Sequence, residues 1–182
     1  MIQPGARTPA PEPLVLVQDL ANTVDLELER DQLRSPADLA SFAAEHGLRL
    51  TFNADDLAEV LEFREAVRDV CQAHAGVDVS AASGAVLERR LVRAPLWLTL
   101  GADGSAVVQP AADLSGLDAL VARMAADIAG AVVDGTWRRL KACAADTCRW
   151  VYYDRSPAGR SRWCTMALCG SRNKMRQYRA RT

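Results

Sequence analysis

The cysteine pattern of the C-terminal quarter constrains the fold more than any other feature of this chain. Four of the five cysteines follow the pattern C-x4-C-x15-C-x4-C, at Cys143, Cys148, Cys164 and Cys169. A structural zinc ion takes four nitrogen or sulfur ligands in a tetrahedron, and two close pairs joined by a connector long enough for a hairpin supply them. Because the ligand is the thiolate, binding removes the thiol protons. The segment has few apolar residues, so we expect one structural Zn²⁺ to supply most of its folding energy.

Two other interpretations of the cysteines remain open from spacing alone: two disulfides, or four unrelated thiols. C-x4-C is looser than the usual C-x2-C knuckle. Disulfides are typical of secreted proteins, and no segment has the pattern of a signal peptide. No run is apolar enough to span a membrane. We therefore expect a soluble protein in the reducing cytoplasm, with no membrane partner.

Charge is divided unequally along the chain, although the net charge is only −1. Residues 137–182 contain twelve Lys and Arg against two Asp, a balance of +10, whereas residues 1–136 have a balance of −11. A strongly basic segment indicates an anionic partner. The acidic part could also attract the basic part when no partner is bound.

Hydrophobic periodicity and turn signals predict a mainly α protein with a small β-hairpin, which is the α+β class. We expect a disordered Pro-rich tail over 1–13, a helical ligand-binding domain over 14–136 and a zinc-finger module over 137–182 that ends in a basic helix. The elements predicted within them are helices over 20–30, 36–46, 54–75, 80–93 and from Asp113 towards Trp137, a hairpin over 95–109, and a strand over 149–154.

Two arginines fall on or beside the apolar stripe of the helix that follows Asn53. Arg64 lies within the stripe and Arg68 lies at its edge. Because an unpaired buried charge is very costly, each needs an acceptor. One alternative is an internal ion pair with an acid such as Asp25 or Glu27. The other is bidentate binding of an anionic ligand, a carboxylate or a phosphate.

Several residues of the C-terminal segment occur together in a recognisable order: Cys143-x4-Cys148, Trp150, Asp154-Arg155-Ser156, Arg160 to Trp163, Cys164-x-Met166-x-x-Cys169, Gly170, Arg172 and Lys174. On these residues the segment resembles the CGNR zinc-finger proteins, bacterial proteins generally taken as transcriptional regulators. The family's Cys-Gly-Asn-Arg reads Cys169-Gly170-Ser171-Arg172 here, so an amide side chain is replaced by a hydroxyl. The resemblance implies zinc binding and duplex DNA binding.

A basic helix is predicted after Gly170, which we expect to permit a tight turn around the metal. Met175 and Tyr178 form an apolar seam that would dock onto the metal hairpin, with arginines on both flanks. A helix of this length fits the major groove, and its charges could contact phosphates or guanine edges. The candidate DNA-binding residues are Arg155, Arg160, Arg162, Arg172, Lys174, Arg176, Arg179 and Arg181.

The CGNR family usually carries an N-terminal ABATE domain, thought to bind a small ligand and related to stress. Residues 20–25, Leu-Ala-Asn-Thr-Val-Asp, resemble its opening signature. The resemblance implies that Asn22 and Asp25 line a pocket, while helix capping and surface exposure are the alternative from the residues themselves. The candidate ligand-binding residues are therefore Asn22, Asp25, Arg64 and Arg68.

Together these features predict a one-component transcriptional regulator. The N-terminal part would sense a small effector, for which an anion is one alternative, and the zinc finger would bind DNA. We expect no enzymatic activity, because four cysteine ligands leave no open position for water on zinc. The alternatives are an RNA- or protein-binding adaptor that uses the aromatic residues near the cysteines, or a redox or metal sensor with exchangeable zinc. One small module covers few base pairs, which is compatible with a homodimer.

Overall fold

The computed structural model describes residues 7–179, except for the side chain of Gln177. The fold is α+β, as the sequence predicts, and no helix in the described part is long and apolar enough to cross a membrane. Its elements are α1 (Val15–Ala21), β1 (Val24–Asp25), β2 (Arg30–Asp31), α2 (Pro36–Glu45), α3 (Ala54–Ala73), α4 (Ala81–Leu91), β3 (Leu96–Leu100), β4 (Ala106–Pro110), α5 (Gly116–Val133), a 3-10 turn (Trp137–Arg139), β5 (Leu140–Ala142), β6 (Val151–Tyr153), a π-helical turn (Met166–Gly170) and α6 (Ser171–Arg179).

Three helices, α1, α3 and α5, pack around one hydrophobic core. Burial of apolar side chains is the dominant favourable term in folding, and this cluster is its main source in the chain. Residues buried there include Leu16, Val17, Leu20, Val60, Phe63, Val67, Leu120, Val121 and Met124.

The starts of α2 and α3 follow the predicted capping signals. The Ser35 hydroxyl accepts a hydrogen bond from the Asp38 amide at 3.2 Å, with Pro36 at the first helical position. Asn53 and Asp56 form a reciprocal capping box at the start of α3. Each cap satisfies amides that have no partner within the helix.

The helix predicted over 20–30 is wrong. The first helix begins earlier and ends at Ala21, and a short antiparallel pair, β1 with β2, follows it. Asp25 accounts for the difference, because its carboxylate accepts the amides of Glu27 and Leu28, both at 3.0 Å. An aspartate that bonds its own backbone in this way competes with helix formation.

The last helix of the N-terminal part is shorter than predicted at both ends. Its N-cap is Ser115 rather than Asp113, which lies in the left-handed region at φ +67°. The helix ends at Val133 instead of continuing towards Trp137. Gly135, at φ +69°, supplies the left-handed position that commonly terminates a helix.

Residues 7–13 of the predicted disordered tail make contacts with the rest of the chain, while residues 1–6 lie outside the described part. The Arg7 guanidinium donates to the carbonyls of Tyr153 and Trp163 at 3.4 and 3.5 Å. The Ala10 amide donates to the side chain of Gln18 at 2.7 Å. This segment therefore packs across the C-terminal part of the chain.

The hairpin of β5 and β6 belongs to the same core as the helices. Only β6 was predicted, and it is shorter than the expected strand over 149–154. Leu140, Ala142, Val151 and Tyr153 are buried in the helical core. The expected division at residue 136 is therefore not a division in packing, because the first part of the zinc-finger segment completes the core of the N-terminal part.

The predicted hairpin of β3 and β4 is present, with Leu96 opposite Pro110 and Leu100 opposite Ala106. Unlike the other strand pairs, it is largely exposed. Trp97, Leu98 and Leu100 are among its solvent-exposed apolar side chains.

We predict that Leu140→Ala lowers the free energy of unfolding of the whole chain by about 2–5 kcal/mol, because it leaves a cavity in the shared core. Chemical denaturation followed by far-UV circular dichroism measures it. Leu100→Ala, at an exposed position of β3, is the control and should change stability by about 0.5 kcal/mol or less. A separate transition confined to the C-terminal part in the Leu140 variant would contradict the shared core.

Candidate metal centre

The four cysteine sulfurs of the predicted zinc site converge on one point. Their Sγ atoms all lie within 4.8 Å of one another. The Cys148 to Cys164 distance is 3.7 Å and the Cys164 to Cys169 distance is 3.6 Å. A tetrahedron with zinc–sulfur bonds of about 2.3 Å has edges of about 3.8 Å. The cluster therefore fits one zinc ion held by four thiolates.

The first pair of cysteines occupies the turn between β5 and β6. The Cys143 amide donates to the Trp150 carbonyl at 2.9 Å. The Ala145 carbonyl accepts the amides of Cys148 at 2.9 Å and Arg149 at 3.0 Å. Arg149, at φ +48°, then returns the chain into β6. The backbone of one tight hairpin therefore directs both thiols to the same side.

The second pair is held by the π-helical turn. The Thr165 hydroxyl accepts the Leu168 amide at 3.2 Å, and the Thr165 carbonyl accepts the Gly170 amide at 3.1 Å. A Cβ atom on Gly170 would lie 2.8 Å from the sulfur of Met166. That sulfur belongs to the flexible end of an exposed side chain, which can move aside, and Gly170 does not lie in the left-handed region. The tight turn that the sequence suggested is therefore not a turn that requires glycine.

The alternatives to a metal do not fit the distances. Sulfur separations of 3.6 Å or more are far longer than the roughly 2.05 Å of a disulfide bond.

The thiols of the cluster also shift one another's pKa. Hydrogen bonds from the Cys148 and Cys164 thiols lower the pKa of Cys143, whereas hydrogen bonding with Cys143 raises the pKa of Cys148 and Cys164. The fifth cysteine, Cys71, is buried in α3, where burial raises its pKa to about 12.

Family comparisons agree with this geometry. A model described as "CGNR zinc finger" matches residues 139–182, and the ABATE model, described as "Putative stress-induced transcription regulator", matches residues 14–135. The chain belongs to the ABATE family. No curated protein matches it significantly. The resemblance found in the sequence is therefore confirmed, and this ABATE-family chain carries a four-cysteine cluster that fits the zinc ion of a CGNR finger.

A buried ion pair organises the loop that joins the two cysteine pairs. The Lys141 ammonium lies 3.1 Å from the Asp154 carboxylate, and Asp154 is fully buried. The same carboxylate accepts the amides of Ser156 at 3.0 Å and Ser161 at 2.8 Å. Burial alone raises the pKa of Asp154, but hydrogen bonds from Ser156, Lys141 and Ser161 outweigh it and hold the pKa below its usual range. The carboxylate therefore stays charged and fixes both ends of the basic loop.

The candidate DNA-binding residues lie on that loop and on α6, and Arg181 lies outside the described part. All seven within the described part are solvent-exposed. Among their contacts within the chain, Arg155 stacks over the Tyr153 ring and donates to the Pro9 carbonyl, and Arg172 pairs with Glu27. The seven are Arg155, Arg160, Arg162, Arg172, Lys174, Arg176 and Arg179.

The apolar seam predicted on α6 does not dock onto the metal hairpin. Met175 is 54% exposed and Tyr178 is 67% exposed. The side chains that pack around the cysteines are instead those of Trp150, Tyr152 and Trp163, together with Ala145. The helix continues directly from the turn that holds Cys169, so its position follows from the backbone at the metal rather than from a seam.

Two aromatic residues near the cysteines are buried in the interior of the protein. Tyr152 is buried, donates its hydroxyl to the Ser161 carbonyl at 2.8 Å and lies under the Arg7 guanidinium. Tyr153 is buried in the helical core. The RNA-binding alternative relied on four aromatic residues near the cysteines, Trp150, Tyr152, Tyr153 and Trp163, and burial removes two of them from stacking on single-stranded bases.

The two candidate ligand-binding arginines are bound within the chain. Arg64 forms a bidentate pair with Asp31, at 2.9 and 2.8 Å, and also donates to the Thr23 hydroxyl. The expected ion pair is therefore present, although its acid is neither Asp25 nor Glu27. Arg68 is fully buried and donates to the carbonyls of Ala21 and Arg149 and to Glu65. A partner from within the chain removes the argument for an anionic ligand at these positions.

Asn22 joins the helical part to the metal hairpin. Its amide donates to the Val151 carbonyl at 2.7 Å and accepts the Val151 amide at 2.9 Å, as a neighbouring strand would. Asn22 and Asp25 also line a cleft together with Asp19, Phe42 and Trp150. Sequence reasoning missed the last three as cleft residues, because they are distant in sequence and no motif joins them.

We predict one zinc ion per chain in the purified protein, and a loss of zinc in Cys164→Ser. Removing one thiolate opens the tetrahedron, so chelators should also lower the melting temperature of the wild type. Elemental analysis and the visible spectrum of the cobalt-substituted protein report the site directly. Cys71→Ser is the matched control, since it changes a buried cysteine outside the cluster and should retain the full zinc content. Equal zinc in both variants would contradict the four-sulfur site.

Proposed function

We propose that this chain is a one-component transcription regulator in which the zinc finger binds duplex DNA and the N-terminal part senses a small effector. The observation that carries the proposal is the exposure of seven arginine and lysine side chains on two segments anchored at the cysteine cluster. The family description as a transcription regulator supports the same proposal.

The rigidity of the loop favours binding over a loose basic tail. Asp154 fixes the backbone at Ser156 and Ser161, so Arg160 between them, and Arg155 and Arg162 beside them, project from a backbone that is held in place. The zinc ion adds a second constraint at Cys164. Side chains that are already positioned lose less entropy when they bind a regular row of phosphates.

An ion pair between α6 and the acidic part of the chain, called the Arg172 lock below, holds the basic helix against the body. Arg172 pairs with Glu27, which lies in the loop between β1 and β2. This contact fits the charge asymmetry of the chain and supports a shielded state in which part of the basic surface faces the body. An exposed ion pair contributes at most about 1 kcal/mol, so the lock would be easily released by DNA.

The route from effector to DNA in this proposal is direct. Asn22, at the end of α1, contacts Val151 of the metal hairpin, and α3 packs on β5. We also propose that the chain is not an enzyme, because four thiolates close the zinc coordination sphere.

The homodimer remains a proposal, and the exposed apolar hairpin of β3 and β4 is the surface through which two copies would pair.

We predict that duplex DNA binding weakens as salt rises, with each contacted phosphate adding about −0.9 to the slope of log affinity against log salt. Arg176→Gln should make that slope shallower by about one contact. Fluorescence anisotropy of the full chain across a salt series measures it. Arg49→Gln removes the same charge from the segment between α2 and α3, and its slope should match the wild type. A salt-insensitive complex would exclude α6 as the contact.

We predict that Glu27→Gln raises DNA affinity about two- to fivefold, because it releases Arg172 from the body. Glu29→Gln removes the same charge from the same exposed loop, where Glu29 is not the partner of Arg172. The comparison separates the specific lock from general repulsion of DNA by the loop. Equal effects of the two variants in the anisotropy assay would show that the Glu27 contact is not a lock.

A further inference from the structure

A cleft lies between the helical part and the first cysteine pair. Its volume is about 650 Å³, and its lining comes from α1, the β1–β2 hairpin, α2 and Trp150. Small-molecule sites are commonly clefts of about 300–1,000 Å³. The cleft therefore has the size of a ligand site, and it is formed by both parts of the chain.

The lining carries an excess of negative charge. Asp19, Asp25 and Glu45 contribute three carboxylates, against Arg30 and His46. The His46 ring nitrogen lies 3.6 Å from the Asp19 carboxylate. Burial raises the pKa of Asp19, although the nearby His46 opposes that shift. A partly buried carboxylate of this kind is stabilised by a cation that enters beside it.

Two aromatic side chains complete the lining. Phe42 is buried from α2, and Trp150 is half-buried beside the metal hairpin. Aromatic faces attract ammonium groups and also contact apolar groups. Carboxylates and aromatic rings in one cleft together match a molecule with a positive charge and an apolar body.

We infer that this cleft binds a small organic cation, an ammonium compound with an aromatic or apolar body. The carboxylates of Asp19 and Glu45 would face the ammonium group, and Phe42 and Trp150 would contact the body. The inference rests on the effector sensing of the proposed function and names the chemical class of the effector. It replaces the anionic alternative, since Arg64 and Arg68 are already bound within the chain.

The position of Trp150 explains how the binding of such a ligand would affect the zinc finger. The Trp150 carbonyl accepts the amide of Cys143 at 2.9 Å. The next residue, Val151, is held by Asn22, which also lines the cleft. A ligand against Trp150 would therefore contact a residue whose backbone helps to place Cys143, the first metal ligand. The loop that carries Glu27 follows directly after Asp25, so the same ligand lies close to the Arg172 lock.

The test uses three probes of similar size and different charge on the full zinc-loaded chain: phenethylamine, phenethyl alcohol and hydrocinnamate. Calorimetry and tryptophan fluorescence measure binding. We expect phenethylamine to bind at least tenfold more tightly than either of the other two, since charge-assisted contacts contribute about 1.5–3 kcal/mol. Equal binding of the three probes, tighter binding of hydrocinnamate, or no binding of phenethylamine would overturn the inference.

Variants locate the probe within the cleft. Asp19→Asn and Glu45→Gln should each weaken phenethylamine binding about tenfold. Glu45 is exposed at the end of α2, so its variant should keep the fold even if the Asp19 variant does not. Glu88→Gln removes one exposed acid from α4 and should change binding less than about twofold, because screened distant charges contribute little. An equal loss in Glu88→Gln would show a general charge effect and overturn the inference.

The outcome is separable from that of the DNA-binding proposal. Anisotropy with DNA alone tests the basic surface without any probe. Preference for hydrocinnamate, together with normal DNA binding, would refute the cationic class and leave the regulator proposal intact. Binding of phenethylamine without any DNA binding would support the cationic class of the ligand and refute the DNA-binding proposal.

Discussion

The short hairpin of β5 and β6 belongs to two clusters of side chains at once, and the rest of the structure depends on this. Alternation along a strand sends Leu140, Ala142, Val151 and Tyr153 into the helical core. Tyr152 packs with the cysteines instead. The metal site therefore rests on the same backbone that completes the core, and disturbance of either cluster is felt by the other.

Polar contacts reinforce this joint. Asn22 bonds both backbone groups of Val151, and Arg68 bridges the carbonyls of Ala21 and Arg149. Buried polar groups are costly unless they are satisfied, and these are satisfied only when the hairpin lies against α1. Such contacts favour one relative position of the two parts over other arrangements of similar apolar burial. They also explain how a signal could pass without a long connecting helix.

Some of the charged side chains of the two parts form ion pairs within the chain. The acidic part uses Asp31 and Glu65 to hold buried arginines, and Glu27 reaches the basic helix. The basic part uses Asp154 for Lys141, and Arg149 pairs with Asp69 of the acidic part. The seven candidate DNA-binding cations of the described part stay exposed. What remains is a cleft with surplus negative charge and a zinc-anchored surface with surplus positive charge. This separation fits a protein that meets two different ligands, one cationic and one anionic.

Much of the fold could be predicted because its signals are local. Ser35 with Pro36 and Asn53 with Asp56 mark helix starts within four residues, and the cysteine spacing marks the metal site. The secondary-structure predictions that were wrong or missed have local causes only in part. The turn that Asp25 forms keeps residues 25–28 out of the predicted helix, but the missed strand β5 is three residues long and is stabilised by partners elsewhere in the chain.

The sequence by itself determined the α+β class, the four candidate metal ligands, the family resemblance and the basic terminus, because spacing and composition carry these directly. Tertiary structure alone decided which acid pairs with Arg64, that the zinc hairpin completes the helical core, and that Asp19, Phe42 and Trp150 line one cleft. Those facts depend on contacts between residues far apart in the chain, and only packing and the need to satisfy buried charge select them.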